Sequence, residues 1–201
     1  MGGNLEATSA SMRSIFIITG LGLCFLLFPG CAGRQQKIAQ PASTPKEDKA
    51  EIKLASAAFK DGQQIPGPYS CDGVNISPPL EWSGVPKTAT TVAITVDDPD
   101  APSGTFVHWV LYNLPVENIG LVENVPASEN LKAGGFQGKN DFGKFGYGGP
   151  CPPSGTHRYF FKIYALDGEL PLKAGATKAE LIKAMEGHLV LQGQLMGTYR
   201  R

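Results

Sequence analysis

The sequence predicts a mainly β chain, an antiparallel β-sandwich with few helices. Three observations point there. The 25 Gly and 16 Pro among 201 residues divide the chain into short segments joined by turns, which suits strands better than long helices. Several segments of strand length are rich in β-branched and aromatic residues or alternate in polarity. A complete helix start signal occurs once, near the C-terminus. A hydrophobic fraction of 42% suffices for a buried core, and the length suits one domain plus extras.

In chain order, Ile52 to Ala57 reads as a first strand. Thr90 to Val96 is a stronger one, with Val92, Ile94 and Val96 on one face, ending at Asp97-Asp98-Pro99. Val107 to Leu114 follows between Gly104 and Pro115, and Arg158 to Leu166 is ended by Asp167-Gly168. The stretch between Glu117 and Gly155 is mostly loop, and so long a loop in a compact domain is usually functional. Thr177 and Glu180 form a capping box for a helix with Leu181, Ile182 and Met185 as its apolar stripe, stopped at Gly187. Leu189 to Leu191 and Leu195 to Tyr199 read as a final strand.

The N-terminus has its own logic. Met12-Arg13 precedes an apolar run from Ile15 to Phe28, too short for a membrane span and suited to a secretory signal over residues 1–30. Met12 offers an alternative start. The run closes on Leu27-Phe28-Pro29-Gly30-Cys31, which is lipobox-like, with Cys31 as the lipidated residue; Phe28 and Pro29 depart from the usual pattern. The alternative is a plain signal peptide, or a short anchor, with an incidental Cys31. Residues 31–50 are polar and Pro-containing, with too little apolar surface to fold, and read as a tether. The globular domain is then 51–201. The expected location is the cell envelope through a lipid anchor. Ala32 after the anchor leans toward the outer membrane, facing the periplasm, in a Gram-negative source.

Formal net charge is zero, with no basic stripe; nucleic acid is not an expected partner. No CxxC or HExxH spacing occurs, so no metal and no cofactor is expected. Cys24 lies within the signal run, which leaves Cys71 and Cys151 in the domain. In an exported protein they form either one disulfide or two buried thiols. Trp82 and Trp109 read as core and rim packing, His188 as a surface or capping residue, and Arg158 as a structural ion-pair partner.

Two of the three His fall in unusual segments. One is Asp97-Asp98-Pro99-Asp100-Ala101-Pro102 with Val107-His108-Trp109, and the other is Gly148-Gly149-Pro150-Cys151-Pro152-Pro153-Ser154-Gly155-Thr156-His157-Arg158-Tyr159. Asp98 has the core-side parity of Val96, and His108 the parity of Val110, Tyr112 and Leu114. His157, Tyr159 and Phe161 share a face. In one reading, His108, His157, the Tyr159 hydroxyl and the Gly149 amide converge on an anion, while Asp98 and Asp100 orient the imidazoles or meet a cationic group on the ligand. In the other, the aspartates only make turn bonds before prolines and the histidines are satisfied core residues.

These segments resemble the two signature regions of the phosphatidylethanolamine-binding protein family. The runs Tyr69 to Trp82 and Gly138 to Gly143 are similar to its bacterial, Raf-kinase-inhibitor-like branch. The resemblance extends from Ile52 to Arg201. It implies a Greek-key-type β-sandwich with a small anion pocket formed by Asp98, Asp100, His108, Gly149, Pro150, His157 and Tyr159. The segment between Asp100 and His108 is shorter than in eukaryotic members, whose kinase-regulating roles do not carry over to an exported bacterial protein. The expected function is a non-enzymatic binding module for a small anion or a phosphoethanolamine-like head group. The alternatives are a hydrolase using the Asp/His cluster, with Ser154 near His157 but no G-x-S-x-G motif, and an interaction protein inhibiting a protease or kinase.

Overall fold

A computed structural model describes residues 50–201. The expected signal segment, the anchor at Cys31 and nearly all of the tether lie outside the described residues. The strands are β1 (Lys53–Ala55), β2 (Leu80–Ser83), β3 (Thr91–Asp98), β4 (Phe106–Pro115), β5 (Gly120–Leu121), β6 (Phe136–Gln137), β7 (Thr156–Leu166) and β8 (Leu189–Arg200), with one α-helix, α1 (Lys178–Ala184). They form two antiparallel sheets, ordered β1-β2-β5 and β6-β4-β3-β7-β8.

The strand β3 is central to the larger sheet, and every one of its residues is buried. Val92, Ile94 and Val96 pack with Leu54, Leu80 and Trp82 of the smaller sheet, so the main core lies between the sheets. Ala93 belongs to a second core, with Tyr112, Leu166 and Leu181, covered by α1. β3 does not stop at Val96. Asp97 pairs with Val107 and Phe160, and Asp98 with Phe106, so both aspartates are strand residues.

The helix starts as its sequence predicts. Glu180 N–H donates to Thr177 Oγ1 at 3.3 Å, and Thr177 N–H donates to Glu180 Oε2 at 2.8 Å. Leu181 and Met185, four apart, are buried, but Ile182 is 39% exposed and belongs to the flank rather than the apolar stripe. The final strand is continuous through Gly193 and Gly197. At Gly193 the chain entering β1 crosses directly overhead: Ile52 N–H donates to Gln192 O at 3.1 Å. A Cβ on Gly193 would lie 1.8 Å from Ile52 O.

The substitution Gly193→Ala should therefore destabilise the fold by about 1–3 kcal/mol or more through overpacking. Gly67→Ala, where an added Cβ meets nothing within 4 Å, should stay within about 0.5 kcal/mol. Urea unfolding of the two variants checks the contrast.

Candidate ligand site

The site lies where β3, β4 and β7 meet two loops, and a β-bulge positions its first histidine. Val96 pairs with Trp109 and Asp97 with Val107, leaving His108 as the extra residue opposite neither. His108 therefore leaves its strand on the side of Trp109, not with Val110 and Tyr112 as simple alternation predicts. Its ring meets Tyr159 edge-on at 5.2 Å, and Phe106 and Phe142 at 5.3 and 5.5 Å. A second bulge, at Asn113 (φ 56°), returns Leu114 to the main core.

Gly148 O accepts a hydrogen bond from His108 Nδ1 at 2.6 Å. A carbonyl only accepts, so Nδ1 carries the proton in the neutral ring and Nε2 holds a lone pair. Burial pushes His108 below its ordinary 6.5, against the Gly148 carbonyl and the Asp98 charge, which favour the cation.

Asp98 Oδ2 lies 2.8 Å from His157 Nδ1, with both side chains buried, and its Oδ1 accepts from the Asp100 amide at 2.9 Å. Orientation of an imidazole and a turn bond before proline thus coexist in one carboxylate. Asp100 orients no imidazole. Its oxygens accept from Arg158 N and Nε at 2.9 Å and Nη2 at 2.7 Å, and the guanidinium holds its carboxyl at about 2. Arg158 is accordingly a structural ion-pair partner. The Tyr159 hydroxyl is buried without a hydrogen-bond partner. Burial first, then Asp98, pushes its ionisation well above the usual tyrosine range.

The Gly149 amide does not stand free for an anion. It donates to Asn75 Oδ1 at 2.7 Å, because the loop before β2 folds over the segment before β7. Pro150 O accepts from Cys71 N at 3.0 Å, and a disulfide joins Cys71 to Cys151, with Cα atoms 5.4 Å apart. On the other side, Asn140 Oδ1 accepts from the amides of Phe142 and Lys144 at 3.1 Å, and its Nδ2 donates to Gly146 O at 2.9 Å. Asn75, the Gly148 carbonyl, Phe142 and Asn140 have these roles without having been singled out by chemistry. Asn75 and Asn140 each stand in a recognised motif, which was their available signal.

His108 Nε2 and His157 Nε2 bond to no described residue. Ser154 is exposed and makes no hydrogen bond to His157, so the dyad of Asp98 and His157 lacks a bonded nucleophile among the described residues. No three His, Cys, Asp or Glu side chains there are grouped to hold a metal. No described helix is long and apolar enough to cross a membrane. His188 is half-exposed and bonds to Asp167 at 2.8 Å, and Trp109 is fully buried, donating to Gln137 Oε1 at 2.9 Å.

Two antiparallel sheets with a buried Asp/His cluster at the ends of three strands define a β-sandwich of binding type. The chain belongs to the phosphatidylethanolamine-binding protein family, whose model matches residues 55–200. A UPF0098 protein of Methanothermobacter thermautotrophicus is 53% identical over 150 residues, covering 75% of this chain and 99% of that protein. Among solved structures, the phosphatidylethanolamine-binding protein homolog CT736 of Chlamydia trachomatis is 42% identical with a TM-score of 0.70. E. coli YbcL, described as a member of the mammalian family, is 32% identical with a TM-score of 0.69. Each structure is covered to 99% by 76% of this chain.

The lowered His108 has a stability consequence. Below its ordinary 6.5 the unfolded chain takes a proton that the folded chain refuses. Its contribution is complete above that value and is lost as pH falls, until the lower folded value is reached. The slope for one proton is at most about 1.4 kcal/mol per pH unit. His108→Gln should flatten this part of the decline, measured as the difference in urea stability between wild type and variant across a pH series.

Proposed function

We propose that this chain is a non-enzymatic binding module for a small anion, free or as a phospholipid head group. One observation carries the reading. Internal acceptors consume the Nδ1 protons of both His108 and His157, leaving two Nε2 atoms without described partners near an unbonded Tyr159 hydroxyl. Protonation turns each Nε2 into a charged donor, which suits an anion. Asp98 and Asp100 are already occupied, so the cationic part of a phosphoethanolamine-like ligand falls to the rings at the rim. Phe142, 44% exposed and packed on Phe106 and His108, offers a π face to an ammonium.

Calorimetric titration with inorganic phosphate, phosphoethanolamine and sulfate tests this. Sulfate, which keeps its charge, should bind more tightly as pH falls through the histidine range of about 6–7 and below. His157→Ala should weaken binding by about 1.5–3 kcal/mol through loss of a charge-assisted donor. Equal affinity in wild type, His157→Ala and Asp98→Asn would defeat the proposal.

The proposed setting is the cell envelope, with Cys31 lipidated at the head of a tether over residues 31–50; the lipobox-like sequence supports it. Cys31→Ala should move the protein from the membrane fraction to the soluble envelope fraction. A wild type that takes up no lipid label, or a variant that stays with the membrane, would contradict it.

A further inference from the structure

Consecutive strand residues leave a sheet on opposite faces, and the last two residues of β3 do so with opposite partners. Asp98 meets His157 on the site side. Asp97 turns toward the face that carries α1 and is 1% exposed. Lys178 Nζ lies 2.8 Å and Lys162 Nζ 3.2 Å from the same oxygen, Asp97 Oδ2. Neither contact has hydrogen-bond geometry, and both Asp97 oxygens are buried without a hydrogen bond. The attraction is Coulombic and weakly directional.

One carboxylate offsets one ammonium. Here two ammoniums converge on it, so one positive charge is left over. Both lysines remain partly exposed, and they border a cleft of about 350 Å³ together with Thr105, Arg158, Phe160 and Gln194. Asp97 is the only acidic residue among its lining. Arg158 is balanced by Asp100 and brings no further net charge. The Phe160 ring lies 5.9 Å from Lys162 Nζ and 5.8 Å from the Arg158 guanidinium carbon. Thr105 and Gln194 add exposed polar side chains that bond to no described residue. Surplus positive charge, a concave wall and spare polar groups together make a receptor for an oxyanion.

We propose that this cleft is a second anion site, backing onto the first through β3, which takes a phosphate-class oxyanion either free or as the head group of an anionic lipid. It stands independently of the reading given to His108 and His157, because the two sites share no ligand-facing residue.

The test is amide NMR of the full-length chain titrated with inorganic phosphate. The expected result is a set of shifts at Thr105, Lys178 and Gln194 that saturates separately from any at His108 and His157. Lys162→Gln should weaken this step by roughly threefold to tenfold, about the value of one partly exposed charged contact. Asp97→Asn should act in the opposite direction, tightening it by a similar factor, since it removes the offsetting negative charge. Lysines present only to neutralise Asp97 would give no such tightening. Lys162→Gln alone, at a half-exposed position, keeps the test valid should Asp97→Asn fail to fold. Co-sedimentation of the full chain carrying Cys31→Ala with phosphatidylglycerol vesicles, against phosphatidylcholine vesicles, separates the sources. Preference for the anionic vesicles that Lys162→Gln reduces assigns a lipid head group, and phosphate shifts without that preference assign a free anion. Shifts confined to His108 and His157, or insensitive to both substitutions, would overturn the proposal.

Discussion

The arrangement at the end of the sandwich depends on one buried carboxylate, Asp98. An ionised carboxylate removed from water is costly unless its oxygens are satisfied. Here each oxygen has a partner: Oδ1 takes the Asp100 amide and Oδ2 faces His157. The first bond shapes the turn through Pro99 and sets Asp100 where Arg158 can hold it with its backbone amide, Nε and Nη2. The second fixes the imidazole of His157. The same charge acts on His108 and on the Tyr159 hydroxyl in one sense, favouring the protonated form of each. It favours the His108 cation and disfavours the Tyr159 phenolate. A neutral hydroxyl beside a protonatable imidazole is a donor set, and Asp98 helps keep it so.

Asp98 can serve in this way because β3 does not move. The strand is buried on both faces, paired on both edges, and continuous through both aspartates. Groups on such strands are held more precisely than groups on loops. The loops contribute by closing over the strand ends. Asn140 ties its own loop through four bonds to backbone groups, including a long one to His108 O at 3.5 Å. The Cys71–Cys151 bridge and the contact of Asn75 with the Gly149 amide hold the opposite loop against the segment that supplies Gly148 O. The proton position on His108 thus depends on contacts between residues 74 and 80 positions apart in sequence.

That distance explains what could be read from the sequence. The capping box at Thr177 and Glu180 was legible because its partners are three residues apart. The identities of β1, β3, β4, β7 and β8 were legible because polarity patterns are local, whereas β2 and the two-residue strands β5 and β6 were not. The side on which His108 emerges was not, since a bulge exists only in the register between β3 and β4. The reason for a glycine within the final strand was not legible either. Gly193 looks like a strand breaker, but it is required by the passage of Ile52 across β8. The two histidine segments and Asp98 were legible as a group through their family resemblance. The consumption of the Gly149 amide by Asn75, and of Asp100 by Arg158, follows from packing that no motif encodes.

The tautomer constraint finally bears on which anions such a site would favour. A neutral His108 presents a lone pair at Nε2, which repels a fully deprotonated oxyanion and accepts from one that carries a proton. Binding a dianion there requires the ring to take up a proton, and burial has made that proton harder to hold. An incoming negative charge supplies the compensation that the folded protein lacks, so anion binding and proton uptake are thermodynamically linked. A protonated oxyanion can instead donate to Nε2 without that cost. The buried, Nδ1-protonated ring therefore discriminates by protonation state as well as by charge, which a lysine or arginine in the same place would not do.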